Sequence, residues 1–175
     1  NTLSVILTII ISIVVCLIFL VTYLFQSSVE QSLSNTSSEL SLVFSGYTSD
    51  SSTSFASSAR DYVENFKKKE QMEVMVINST GRIVMSSTGF IPTGDEHLPD
   101  FDEAKTNGNG YAFWSGKLSS NEKAMSETRI ITNDSGTAVG AVRYIVSMES
   151  VNERIMLVSG MIILVGLIII ALVVL

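Results

Sequence analysis

Side chains that could hold a cation crowd one short stretch: Asp95, Glu96, His97, Asp100, Asp102 and Glu103. Carboxylates and an imidazole at that density suit a hard divalent cation or a cationic peptide. Asp95, Glu96 and His97 are the candidate metal ligands. The same residues have a plainer reading. Asp100 stands where it would cap a short helix, and Asp102 and Glu103 fall in its first turn, where acids complement the helix dipole. Asp95 and Glu96 are then solvated loop.

A second candidate site takes a small molecule. Trp114, Arg129 and Tyr144 fall on segments that read as strands. If Asn133–Gly136 is a four-residue hairpin loop, Arg129 shares a sheet face with Glu127, Val142 and Tyr144. An arginine beside aromatic rings can hold a carboxylate ligand. The alternative is a surface pair between Arg129 and Glu127, with Trp114 in the core. Catalysis has no candidates. There is one His, and the one Cys, Cys16, sits in an apolar run. No phosphate loop or paired metal-binding cysteines occur, and one cysteine forms no intrachain disulfide. No cofactor is expected within this chain.

These residues lie in a polar middle between two apolar ends. The chain has 175 residues, 17 acidic and 11 basic, for a net charge of -6, and a mean hydropathy of +0.40. Every charged residue lies between Glu30 and Arg154. The acidic balance argues against nucleic-acid binding, and the uncharged ends exclude a plain cytosolic enzyme. Leu3–Phe25 and Ile155–Leu175 each extend roughly 30 Å as helices, about one hydrocarbon core. Both read as transmembrane helices, with the lipid bilayer as partner. A signal peptide is the rival for the first, but no A-x-A-like cleavage site precedes Gln26. Within that span Ser4, Thr8, Ser12 and Cys16 recur every four residues, a stripe suited to close helix packing in lipid. The chain starts at Asn1 and stops inside an apolar run, which suggests a piece of a longer protein. With Lys and Arg absent from both flanks, the positive-inside rule sets no orientation.

In the middle, Val29, Leu33, Leu40, Phe44, Tyr47, Phe55, Tyr62 and Phe66 trace a narrow helical stripe. It predicts a long helix over 26–69, open to interruption near Gly46 and roughly 66 Å long if straight. That helix needs a partner, either the domain's own sheet or a second copy of the chain. Two strands follow, Met72–Ile77 and Arg82–Met85, joined by the turn Asn78–Gly81. After a loop come a short helix, Phe101–Thr106, and three strands, Tyr111–Leu118, Ala124–Thr132 and Ala138–Met148. From Glu149 a helix runs into the second span. The expected fold is α+β: two transmembrane helices flank a five-stranded antiparallel sheet with the long helix packed on one face. The other face, under the 86–110 segment, is the natural pocket. The domain boundaries are 1–25, 26–69, 70–149 and 150–175.

This order, with VINSTGRIVMSSTG at 76–89 and GTAVGAVRYIVSMESVNERI at 136–155, resembles the extracytoplasmic single-Cache (PAS-like) sensor domains of bacterial sensor histidine kinases and chemoreceptors. The resemblance implies the sensor and membrane region of a two-component histidine kinase, in the bacterial cytoplasmic membrane with residues 26–154 outside. It implies a homodimer, an extracellular small molecule, cation or peptide as stimulus, and a response regulator reached through a cytoplasmic region. ATP and Mg would belong to that kinase region, which makes the parent protein an enzyme although this chain carries no catalytic residue. A methyl-accepting chemoreceptor and a ligand-free, partner-binding membrane protein are the alternatives. The Tyr/Arg/Trp amino-acid motif of two-module relatives is not matched, so no ligand carries over.

Overall fold

The structure is a computed structural model that describes residues 2–45, 52–92 and 96–174. The chain divides into two compact units, residues 1–29 with 149–175, and residues 30–148.

In the first unit, helix α1 (Thr2–Ser45) contributes its beginning and helix α4 (Met148–Val174) most of its length. Both are long and apolar enough to cross a membrane. Leu7, Ile10, Val14 and Ile18 form a half-buried stripe on α1. Gly166 of α4 is buried, and a Cβ added there would stand 2.8 Å from Val14 Cγ2, so the glycine lets the two helices touch. Ser4, Thr8, Ser12 and Cys16 lie on an exposed face instead. The Thr8 hydroxyl donates to the Ser4 carbonyl at 2.8 Å, satisfied within its own helix.

The second unit is built on a five-stranded antiparallel sheet: β1 (Glu73–Asn78), β2 (Ile83–Ser86), β3 (Tyr111–Lys117), β4 (Lys123–Thr132) and β5 (Ala138–Ser147), in the order β2-β1-β5-β4-β3. Its three hairpins share one design. Ser79–Gly81, Ser119–Asn121 and Asp134–Gly136 are three-residue loops whose last residue takes a left-handed backbone, with φ of 87°, 67° and 79°. Gly and Asn tolerate that conformation best. Asn78 and Asn133 each accept further backbone bonds with their side chains, fixing the loops that they open.

One sheet face, carrying Val74, Val76, Val142, Tyr144 and Glu127, is covered by Leu33 and Ser37 of α1 and by Phe55, Ala59 and Val63 of helix α2 (Ser52–Glu64). The helix expected over 26–69, open to interruption near Gly46, is thus two helices, α1 and α2, and not one straight rod. Lys68 Nζ donates to Thr36 Oγ1 at 3.0 Å, a pair that a straight helix would hold roughly 48 Å apart. The physical reason is sheet height. Strands of this length span roughly 33 Å, and a helix twice as long would leave half of its apolar stripe in water. Bringing α2 back alongside α1 lays both stripes on the sheet. Gly46 lies outside the described residues. The helix also ends at Glu64, where the Lys69 ammonium donates to the Glu64 carbonyl at 2.7 Å.

The other face carries helix α3 (Pro99–Thr106). Leu98 and Phe101 pack there with Ile77 and Ala141. Gly81 sits under the Phe101 ring, 3.2 Å from the place of a Cβ, so the β1–β2 turn and α3 are in contact.

Candidate functional site

Ser126 and Thr128 of β4 and Arg143 of β5 put polar side chains among apolar ones on the α3-facing side of the sheet. Pairing of Thr128 with Arg143, and of Trp114 with Ser126, points all four side chains to the face that α3 covers. Asp100 comes down onto them from the first turn of α3. The predicted helix cap is thereby corrected: Leu98 occupies the cap position, no side chain caps the helix, and Asp100 is 0% exposed. Its Oδ2 accepts from Arg143 Nε at 2.8 Å, Ser126 Oγ at 2.8 Å and Thr128 Oγ1 at 2.7 Å. A second Arg143 nitrogen donates to Ser126 Oγ at 3.2 Å. The guanidinium lies 5.7 Å from the centre of the Trp114 ring. That ring lies over Gly116, where a Cβ would come within 2.4 Å of it, so only glycine leaves the indole room to lie along β3.

Three donors thus converge on one carboxylate oxygen, while Asp100 Oδ1 is buried without a partner. Such an acceptor costs about 1–3 kcal/mol if left unmet. The arrangement is electrostatically closed but one hydrogen bond short. It can accept one more donor without surrendering a bond that it already makes.

The residues singled out from the sequence are placed as follows. Tyr111 pairs with Arg129 and Glu127 with Tyr144, so Arg129 and Tyr144 share the face that α1 and α2 cover, and Trp114 faces the opposite way. The sheet backbone separates Trp114 from the other two. Arg129 is tied to Glu127 at 3.1 Å and its guanidinium lies 4.5 Å over the Tyr111 ring. The Tyr144 hydroxyl shares a hydrogen bond of 3.0 Å with that of Tyr62. Burial raises the pKa of Tyr144 far above the ordinary phenol value, and burial also raises that of Tyr62.

Asp95 lies outside the described residues. Glu96 accepts from Ser119 Oγ at 2.6 Å, and His97 forms an exposed contact of 3.8 Å with Asp102. Among the described residues no three His, Cys, Asp or Glu side chains stand together as metal ligands. Glu96, His97 and Asp102 border a cleft of about 1000 Å³ between the β1–β2 turn and α3, lined also by Arg82, Phe101 and Lys105 among others. Neither Asp100 nor Arg143 lines it, and its lining carries charges of both signs. The buried centre is chemically the more specific of the two.

Sequence reasoning missed Arg143, Ser126 and Thr128. One signal was available. Arg143 interrupts the apolar run AVRYIV of β5, and a charge inside a strand buried on both faces needs a buried partner.

No protein-family model and no curated protein sequence matches the chain. Solved structures do. The periplasmic sensory domain of the Campylobacter jejuni chemoreceptor Tlp1 aligns with a TM-score of 0.52 at 10% identity, over 74% of this chain and 57% of that one. The ligand-binding domain of the Campylobacter jejuni chemoreceptor Tlp3, in complex with L-norvaline, aligns with a TM-score of 0.52 at 14% identity, over 85% of this chain and 63% of that one. The chain spans less than two thirds of either domain. With the α+β architecture and strand order above, these likenesses show that the chain shares the fold of these two chemoreceptor domains.

Proposed function

We propose that this chain is the sensor and membrane region of a receptor that crosses the bacterial cytoplasmic membrane twice, with residues 26–154 outside. In this reading a stimulus alters the α3-covered face of the sheet, and the change passes inward through α1 and α4. The observation that carries the reading is the buried Asp100–Arg143 centre with its unpartnered oxygen, set in a fold shared with chemoreceptor sensory domains. The ligand class that suits it is a small polar molecule with a donor for Asp100 Oδ1. The L-norvaline bound by Tlp3 makes amino acids the first class to try.

Thermal shift of the chain in nanodiscs against amines, amino acids and carboxylates tests this. A compound that raises Tm should lose its effect with Thr128→Val, which removes one Asp100 donor while keeping the shape. A shift that survives that substitution, or no shift by any compound, overturns the site.

For output, a two-component histidine kinase working through a homodimer, ATP, Mg and a response regulator is the reading taken. A methyl-accepting chemoreceptor is the second, favoured by the nature of Tlp1 and Tlp3. The coding sequence after Leu175 decides. A phosphoacceptor histidine followed by an ATP-binding domain supports the kinase. A long helical hairpin supports the chemoreceptor.

A further inference from the structure

Four consecutive residues of β4 serve two ionic networks on opposite faces of the sheet, one buried and one partly buried. Ser126 and Thr128 hold Asp100 on the α3 side. Glu127 and Arg129 hold α1 on the other. Glu127 is 3% exposed, and its Oε1 accepts from Ser37 Oγ at 2.5 Å and from an Arg129 nitrogen at 3.1 Å. Arg129 Nε donates to Ser37 Oγ at 2.7 Å, and another Arg129 nitrogen to Ser38 Oγ at 3.1 Å. Ser37 itself is fully buried. β5 repeats the pattern, with Arg143 facing Asp100 and the next residue, Tyr144, bonded to Tyr62 of α2.

Apolar contacts slide at little cost, whereas hydrogen-bonded ion pairs hold fixed directions and are costly to leave unmade. Where alternate residues of one strand are pinned on both faces, a shift of the strand that relieves one network must re-aim the other. α1 is moreover a single helix from Thr2 to Ser45, so the element gripped at Ser37 is covalently the one that enters the apolar unit.

We propose that Ser126–Arg129 of β4 is a coupling element, in which Glu127 and Arg129 are positioning residues that transmit a change at the Asp100 centre to α1. Its biological meaning rests on the sensor reading, but its test needs no ligand, so the two can fail separately. Amide exchange is followed by mass spectrometry on the 175-residue chain in nanodiscs. Thr128→Val should speed exchange in the α1 peptide covering 30–39 roughly ten-fold, the size of a modest coupling between sites. It should leave the β1–β2 hairpin unchanged, which separates coupling from general loosening. In a Glu127→Gln background the same substitution should change α1 exchange by less than about two-fold, as independent sites do. Asp100→Asn is the stronger perturbation of the same centre and should behave alike. An α1 peptide that ignores both substitutions overturns the proposal, as does an equal effect with and without Glu127.

Discussion

At Asp100 two arguments about one residue type meet. An aspartate in the first turn of a helix is ordinarily stabilised by the dipole and by water, and the sequence around it supports that reading. Here the helix lies on a sheet that presents Arg143, Ser126 and Thr128, and a carboxylate facing such a cluster is held inward. Breaking a buried pair from one side costs about 3–5 kcal/mol, because it strands the other charge, whereas replacing both partners by apolar groups is close to neutral. Arg143→Met should therefore destabilise the domain by about that amount, and Arg143→Met with Asp100→Leu should recover most of it. Urea midpoints of the two variants measure this, and a double variant no more stable than the single one would remove the ion pair from the account. The partners were not legible in the sequence, because spacing along one strand gives a face but not what a helix some forty residues earlier lays on it. Arg129 and Glu127 were legible as a pair, being two apart on one strand. That Ser37 of α1 bonds to both of them was not.

At the scale of elements, local chemistry read well. Turn residues predicted the hairpins after β1 and β4, and short apolar-rich runs between turn signals predicted all five strands. Asn121, the left-handed residue of the β3–β4 loop, carried a weaker signal than glycine. The helix stripe read in part: periodicity reports that residues share a face, here on α1 and α2, but not that the chain doubles back to cover one surface twice. How closely α2 then seats is set by Gly140, where a Cβ would meet the Ile77 carbonyl oxygen and the Phe55 ring, each at 2.6 Å. Gly140→Ala should cost about 1–3 kcal/mol by overpacking, read as a lowered denaturation midpoint. The same interface holds the Tyr62 and Tyr144 hydroxyls. Both phenols have pKa values raised from 10.0, chiefly by burial. The folded state therefore keeps protons that the unfolded chain releases above pH 10, so this contribution is complete below that pH and is lost as pH rises beyond it. Stability should fall by as much as about 1.4 kcal/mol per pH unit per phenol. In the Tyr62→Phe, Tyr144→Phe double variant the alkaline slope should flatten, and urea midpoints between pH 8 and 11 check it. An unchanged slope would place the alkaline titration elsewhere.

For the whole molecule, charge distribution makes the strongest statement. Every charged side chain lies between Glu30 and Arg154, and the apolar parts of α1 and α4 form a unit of their own. An unpaired charge at the bilayer centre costs about 2.5–3.5 kcal/mol on insertion scales, and the topology proposed above, in which both helices cross and the polar unit stays on one side, leaves none of these charges in lipid. Side-chain accessibility reads that topology directly. Cys16→Ala provides a background without reactive thiols, and single cysteines then report position. Ser120→Cys, in the exposed loop between β3 and β4, should react with a membrane-impermeant maleimide on intact cells. Thr2→Cys, at the start of α1, should react only after the membrane is opened. Labelling of both on intact cells would mean that α1 does not cross. Protection of Ser120→Cys until lysis would put the sheet inside the cell, and an extracellular stimulus would then have no domain to act on.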